Sequence, residues 1–333
     1  MKSTVIVIHC LVFLFLTLLS LSYGMATQSS VEIFETLSRL DSIPSSFEIA
    51  QRFQEPCFQN MSTFHPDVSI LKPYREHARY LFSSEHQILL LENTWTPSLI
   101  VRNYSLHVCT LPKVGSTELR SLLMRVSVIP PEQSPTTKER EVFSHPHGKG
   151  TFLSSFETNE KLEMLSNSKW LHIAFVRNPY TRLLSGYLQK IKVQGDRVHK
   201  QVPGVTKNTT FSEFVELLER LKQNYHGTLL VNDHFKPQYL QCGFNVFNYD
   251  LIGKIENFHQ DVRCMAKNRG FEQAMDFGWG EHGKYSLFTM PRPHPTGSSK
   301  KLSDYYTDAL QKRVYNLYKE DFILFRYSYE LPQ

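Results

Sequence analysis

Residues 106–126, LHVCTLPKVGSTELRSLLMRV, constrain the fold more than any other stretch of the chain. The apolar start at 106–111 predicts a short strand, and Leu119, Leu122, Leu123 and Val126 recur at helical spacing. Pro112, Lys113, Val114, Gly115, Ser116 and Thr117 leave room between them only for a tight loop. Such a loop gathers backbone N–H groups at the positive end of a helix dipole, a point that binds phosphate or sulfate. Gly115 lets the backbone approach an anion closely, Ser116 and Thr117 add hydroxyl donors, and Lys113 adds a full charge. The Walker A pattern is absent throughout, so this is not the loop of an ordinary nucleoside triphosphatase. An unliganded strand-turn-helix has the same local pattern, and a second stretch is needed to decide.

That stretch is 175–187, FVRNPYTRLLSGY, which follows the apolar run 170–176. A near-continuous apolar run predicts a strand buried on both faces. Arg177 therefore leaves a strand end, where ligands of open α/β sheets gather. Ser185 follows after about two helical turns and can face the same side. An arginine fork and a short hydroxyl suit a phosphate. The alternative, a strand-end ion pair at Arg177 with a packing serine at 185, stays open, as does a surface ion pair for Arg182.

Helices are expected over about 157–167, 179–191, 211–221 (capped by Thr210 or Ser212), 256–268 and 305–322, with a further strand over 249–253. Residues 71–91 are partly helical in pattern, 130–138 and 192–208 read as surface loops, and 278–299 is a loop of the length usually reserved for function. The alternation of strands and helices predicts an α/β fold with a parallel, doubly wound sheet in one catalytic domain, 106–333, after a stem and lead-in over 27–105. A 41% hydrophobic and 13% aromatic content excludes a disordered chain, and a net charge of +5 suits an anionic ligand without requiring one.

Residues 4–23 form an apolar run behind Lys2, long enough for one membrane-spanning helix. A signal anchor over 1–26 is favoured, and a signal peptide cleaved near Ser22 and Gly24 is the rival. Either way the remainder enters the secretory lumen, in accord with glycosylation sequons at Asn60, Asn103 and Asn208. Cys57, Cys109, Cys242 and Cys264 lie outside the run and lack zinc-site spacing, so disulfides are expected. Three pairings are open, and Cys242–Cys264 comes first because a loop of that size closes easily.

Four blocks within 106–327 carry a resemblance to a known family: LPKVGST, FVRNPYTRLLSGY, HFKPQYLQCGFNVFNYDLIGKIENF and KLSDYYTDALQKRVYNLYKEDFILFRY. In this order, behind an N-terminal anchor, they resemble the Golgi carbohydrate sulfotransferases, in the group containing the chondroitin and dermatan 4-O-sulfotransferases. The resemblance implies a sulfotransferase fold and a single-pass type II Golgi membrane protein with its catalytic domain in the lumen. It implies transfer of a sulfuryl group from 3′-phosphoadenosine 5′-phosphosulfate (PAPS) to a glycan hydroxyl, with no metal and no nucleic-acid partner. Oligomeric state is left open. The family's 5′-phosphosulfate loop falls on Lys113, Val114, Gly115, Ser116 and Thr117, and its 3′-phosphate site on Arg177 and Ser185. Many members have Ala-Cys-Thr or a similar trio at 115–117, and here Glu118 replaces a neutral polar residue.

The same resemblance frames the search for a base. Ser144-His145-Pro146-His147 resembles the His-x-His of the uronyl and heparan 2-O-sulfotransferases, which puts His147 ahead of His145, with both as plain loop histidines the alternative. His234 is held in reserve and expected to orient, and Glu256 is expected to be structural. Residues 292–301 resemble the segment that covers the nucleotide, offering Thr296, Ser298 and Lys300. Lys190, Lys192, Arg197, Lys200 and Lys207 can line a groove for an acidic glycan or simply be solvated surface. The competing readings are a phosphate-transfer enzyme on a similar fold and a non-catalytic lumenal binding protein.

Overall fold

The computed structural model describes residues 57–60, 98–128, 152–193, 204–224, 231–244, 247–290 and 297–332, with residues 202 and 229. The apolar run 4–23, the stretch 71–91 and the loop 130–138 lie outside the described residues. Among the described residues no helix is long and apolar enough to cross a membrane.

Among the described residues four strands form one sheet in the order β1 (Ser98–Val101), β2 (Leu106–Thr110), β3 (Leu171–Val176), β4 (Leu251–Lys254). β2, β3 and β4 run parallel, with Leu106 opposite Leu171 and Ile173 opposite Leu251. β1 is antiparallel to β2, with Val101 opposite Leu106, and the chain turns between them through Ser105 at φ 44°. The sheet is therefore mixed, and its strand order does not reverse among the described strands, unlike the wholly parallel, doubly wound sheet expected. The reason lies in β1: its four residues are too few to show a period, and they become a strand by pairing with β2, ahead of the expected start of the core at 106. Every residue of β1, β2 and β3 is buried, Ser98, His107, Thr110 and His172 among them, as in strands covered on both faces.

Each parallel strand feeds a helix. α1 (Ser116–Val128) follows β2, and α2 (Thr158–Ser166), with a capping box between Glu157 and Glu160, leads into β3. α3 (Pro179–Gly186) follows β3; Pro179 takes the first turn and the Asn178 side chain accepts from the amides of Tyr180 and Thr181. From Tyr187 to Val193 the chain widens into a π-helix instead of continuing as the α-helix expected to 191. α4 (Phe211–Asn224) is capped by Thr210, whose amide and hydroxyl both donate to Glu213 at 2.7 Å. α5 (Phe258–Arg269) follows β4 and ends at Gly270 in the left-handed conformation.

The single C-terminal helix expected over 305–322 is two, α6 (Asp308–Leu317) and α7 (Lys319–Leu324). They part at Tyr318, a buried residue whose hydroxyl donates to the Phe235 carbonyl at 2.6 Å. Tyr180, Leu184, Phe214, Phe235, Val314 and Phe322 fill the core that joins α3, α4, α6 and α7.

The disulfides are Cys57–Cys264 and Cys109–Cys242, with Cα atoms 5.9 Å apart in both, so the expected Cys242–Cys264 pair is not formed. Ease of loop closure describes the unfolded chain. In the folded one Cys264 lies within α5, while Cys242 meets Cys109 in β2.

Candidate active site

The loop between β2 and α1 is held open by unusual backbone and by two arginines. Lys113 and Gly115 both have positive φ, 73° and 76°. At a lysine this conformation costs about 1–3 kcal/mol and persists only where the surroundings impose it. They do so here: the Lys113 carbonyl accepts from Arg177 Nη1 at 3.0 Å, and the Pro112 carbonyl accepts from Arg182 Nε at 3.3 Å. Gly115 is demanded by the wall behind the loop, because a Cβ there would lie 2.8 Å from Ile255 Cδ1 and 3.1 Å from the Phe258 ring. Ser116 and Thr117 occupy the first two positions of the 13-residue α1, at its positive end. Arg120 Nε donates to Thr110 Oγ1 at 2.7 Å and locks α1 to the end of β2.

Lys113 Nζ donates to Gln189 Oε1 in the π-helix at 2.7 Å. Burial first, then the positive charges of Arg177, Lys190 and Arg182, lower its pKa to about 8, against a smaller opposing pull from Glu118. The acid that looks misplaced in the sequence therefore helps to keep Lys113 charged. A half-buried lysine pressed by three other cations is a site that an anion would relieve.

Arg177 is fixed on every side. Its Nε donates to Thr181 Oγ1 at 2.9 Å and its Nη2 to Ser298 Oγ at 2.9 Å. Its backbone exchanges two hydrogen bonds with the buried Gln238 side chain, N–H to Oε1 and Nε2–H to the carbonyl, each 2.9 Å. Gln238 is steadied in turn by Asp321 of α7, which accepts the amides of Gln238 and Tyr239 at 2.8 Å. Burial raises the Asp321 carboxyl to about 6 against those bonds. Ser185 lies buried within α3. Of the 292–301 segment, Ser298 reaches Arg177, Lys300 is exposed and Thr296 lies outside the described residues.

Among the described residues Arg182 makes no surface ion pair. It is buried, and besides Pro112 it donates to the carbonyls of Lys236 and Asp233, both at 2.8 Å. One guanidinium thus joins the anion loop to the segment that bears His234. Sequence reasoning does not find Gln238, Asp321 or Asn232, and for Arg182 it left a surface ion pair open.

His145 and His147 lie outside the described residues. His234 is half-buried beside the cluster, with Nδ1 2.7 Å from Asn232 Oδ1. Glu256 is structural: its carboxylate accepts the Asn178 amide at 2.9 Å and the Tyr327 hydroxyl at 3.1 Å. Of the basic run, Lys190 faces Lys113, Lys192 donates to the Lys207 carbonyl at 3.1 Å, and Arg197 and Lys200 lie outside the described residues.

A family model described as "Sulfotransferase family" matches residues 97–328, from just ahead of β1 to just beyond α7. The chain is 24% identical to carbohydrate sulfotransferase 12 of Xenopus laevis over 256 residues, covering 66% of this chain and 57% of the relative. It is 24% identical to carbohydrate sulfotransferase 11 of Danio rerio over 263 residues, covering 74% and 71%. Carbohydrate sulfotransferase 11 of Rattus norvegicus is 23% identical over 266 residues, with the same coverages of 74% and 71%. The chain thus spans 57% of the length of the Xenopus relative, and no solved structure matches it.

Proposed function

The chain belongs to the sulfotransferase family, and from that premise we propose that it transfers a sulfuryl group from PAPS to a hydroxyl of a glycan. One observation carries the reading: Arg177 Nη1 bonds the Lys113 carbonyl at 3.0 Å, so two cationic stretches 64 residues apart form one site. Lys113, Arg177, Arg182 and Lys190 supply the positive potential a multiply charged nucleotide needs, and the start of α1 supplies backbone donors. The 5′-phosphosulfate would lie against Lys113, Val114, Gly115, Ser116 and Thr117, and the 3′-phosphate against Arg177 and Ser185. The Ser298 hydroxyl already accepts from Arg177 as a phosphate oxygen would.

Bound PAPS would supply an activated sulfuryl group. Lys113 Nζ then stabilises the charge that grows on the bridging oxygen, while the loop amides hold the oxygens on sulfur. Arg177 fixes the nucleotide in line with the acceptor. The acceptor's proton must go to a base, for which the chain offers His147, His145 and His234. The acceptor is read as a glycan from the names of the relatives, both carbohydrate sulfotransferases. The apolar run 4–23 is read as a type II anchor in the Golgi membrane with the domain in the lumen.

Incubating the 27–333 portion with radiolabelled PAPS and a panel of desulfated glycans tests the reading. Label transferred to at least one glycan is expected, and ATP should not replace PAPS as the bound nucleotide. Tighter binding of ATP than of PAPS, with no transfer to any glycan, would contradict it.

A further inference from the structure

We infer that His234 is the catalytic base of this site and that Asn232 is the residue that positions it, an assignment that rests on the sulfotransferase reading. The turn 232–236 is closed by the Asn232 carbonyl, which accepts the amides of Phe235 at 2.8 Å and Lys236 at 2.9 Å. The Asn232 side-chain oxygen accepts the His234 amide at 3.1 Å and lies 2.7 Å from His234 Nδ1. An atom that already accepts from a backbone N–H is the oxygen of its amide, so Nδ1 must carry the ring proton. The lone pair of the neutral imidazole is then on Nε2, for which the described residues provide no hydrogen bond.

The turn is fastened to the anion loop at several points. Arg182 bonds the carbonyls of Asp233 and Lys236 on one side and of Pro112 on the other. Gly186 lets α3 back directly onto the turn: a Cβ there would lie 3.2 Å from the His234 carbonyl and 2.8 Å from Phe235 Cε1. Tyr318 holds the Phe235 carbonyl from the far side, and Cys109–Cys242 ties the end of the same segment to the strand that enters the loop. His234 and Lys113 are thus parts of one rigid construction.

The charges facing the ring come from four elements: Lys190 of the π-helix, Lys113 of the loop, Arg182 of α3 and Arg120 of α1. Asp233 and Lys236 flank it on its own turn. Burial first, and then those four cations, hold the imidazole neutral far below the ordinary histidine range. A neutral ring is ready to take a proton, but the cations would oppose the imidazolium. A polyanionic nucleotide lying among them reverses that opposition, so the base gains strength when the donor is bound. In the transfer the acceptor O–H bond breaks and its proton goes to Nε2. The acceptor oxygen bonds to sulfur, and the sulfur bond to the 5′-phosphate oxygen breaks. That oxygen keeps the electron pair beside Lys113, and the imidazolium later releases its proton to water.

Two measurements test this. Nitrogen NMR of the imidazoles should show His234 as the single Nδ1–H tautomer at neutral pH, with its titration midpoint moving up when 3′,5′-adenosine bisphosphate is added. Asn232→Ala should give a tautomer mixture, and a wild-type ring protonated at Nε2, or a midpoint that ignores the nucleotide, would overturn the assignment. Kinetically, His234→Ala should lower kcat by about 10²–10⁴-fold with little change in KM for PAPS, and added imidazole should restore part of the loss. Near-normal turnover in His234→Ala, or a loss confined to His145→Ala or His147→Ala, would overturn it. Should His234→Ala misfold, Asn232→Asp decides: a carboxylate facing Nδ1 should raise the acidic limb of the kcat–pH profile, and an unmoved limb overturns the role. Failure of the sulfotransferase reading would look different, as absence of transfer by the wild-type protein.

Discussion

Lys113 carries three properties at once: a left-handed backbone, a side chain bonded to Gln189, and a pKa lowered to about 8 by burial and by Arg177, Lys190 and Arg182. Only the last bears directly on ligand binding. An anion prefers the charged lysine, so affinity should weaken as pH rises from neutral through about 8. Calorimetric titration of 3′,5′-adenosine bisphosphate across that range should show the decline in wild type and not in Lys113→Ala. A wild type with no decline would mean that Lys113 does not meet the nucleotide. The same variant should lose more in kcat than in nucleotide affinity, because the charge it meets grows toward the transition state. Lys113, Gly115 and Arg177 were legible because each is a residue type with a special chemical use at the end of an apolar run. The partners that hold them were not. Gln238 and Asp321 come from 61 and 144 residues beyond Arg177, and nothing local marks a glutamine or an aspartate as a brace.

Among the elements, β2, β3, α1 and α5 followed from pattern because their own residues determine them. β1, the π-helix and the break at Tyr318 did not, since each is set by what it packs against. α7 shows how a remote element serves the site: Asp321 accepts two backbone amides of the turn that steadies Arg177. Asp321→Asn should leave one of those buried amides facing an NH₂ group and destabilise the fold by about 1–3 kcal/mol in a denaturant titration. The pH dependence has a definite sign. The carboxyl's pKa rises from 3.8 to about 6 on folding, so between those values the native state binds the proton more tightly than the unfolded chain. Stability therefore falls through this group as pH rises across that window, and Asp321→Asn should flatten the fall. A wild-type curve of the opposite slope, unaltered by the substitution, would show that Asp321 is not strained by burial.

At the scale of the whole molecule, the proposed passage through the secretory lumen predicts that the two disulfides persist and that the exposed sequons carry glycans. Asn103 and Asn208 are exposed, so both can accept a glycan. Protease treatment of intact Golgi vesicles should leave the 27–333 portion protected, and glycosidase should then shorten it. Release of a fully soluble chain beginning near Met25 would favour the cleaved signal peptide. The disulfide pairing shows where sequence reasoning stops: the sheet, not proximity along the chain, brings Cys109 to Cys242. It also brings the strand ends together, and the central claim is that the loop at Lys113 and the strand end at Arg177 receive one nucleotide. The most direct measurement compares 3′,5′-adenosine bisphosphate with adenosine 5′-monophosphate, which lacks the 3′-phosphate, on wild type and on Arg177→Ala. A charged hydrogen bond is worth about 1.5–3 kcal/mol, so wild type should prefer the bisphosphate by roughly ten- to a hundredfold. A folded Arg177→Ala protein should lose most of that preference while binding the monophosphate almost as wild type does. Equal binding of the two nucleotides by wild type, or an undiminished preference in Arg177→Ala, would contradict the claim.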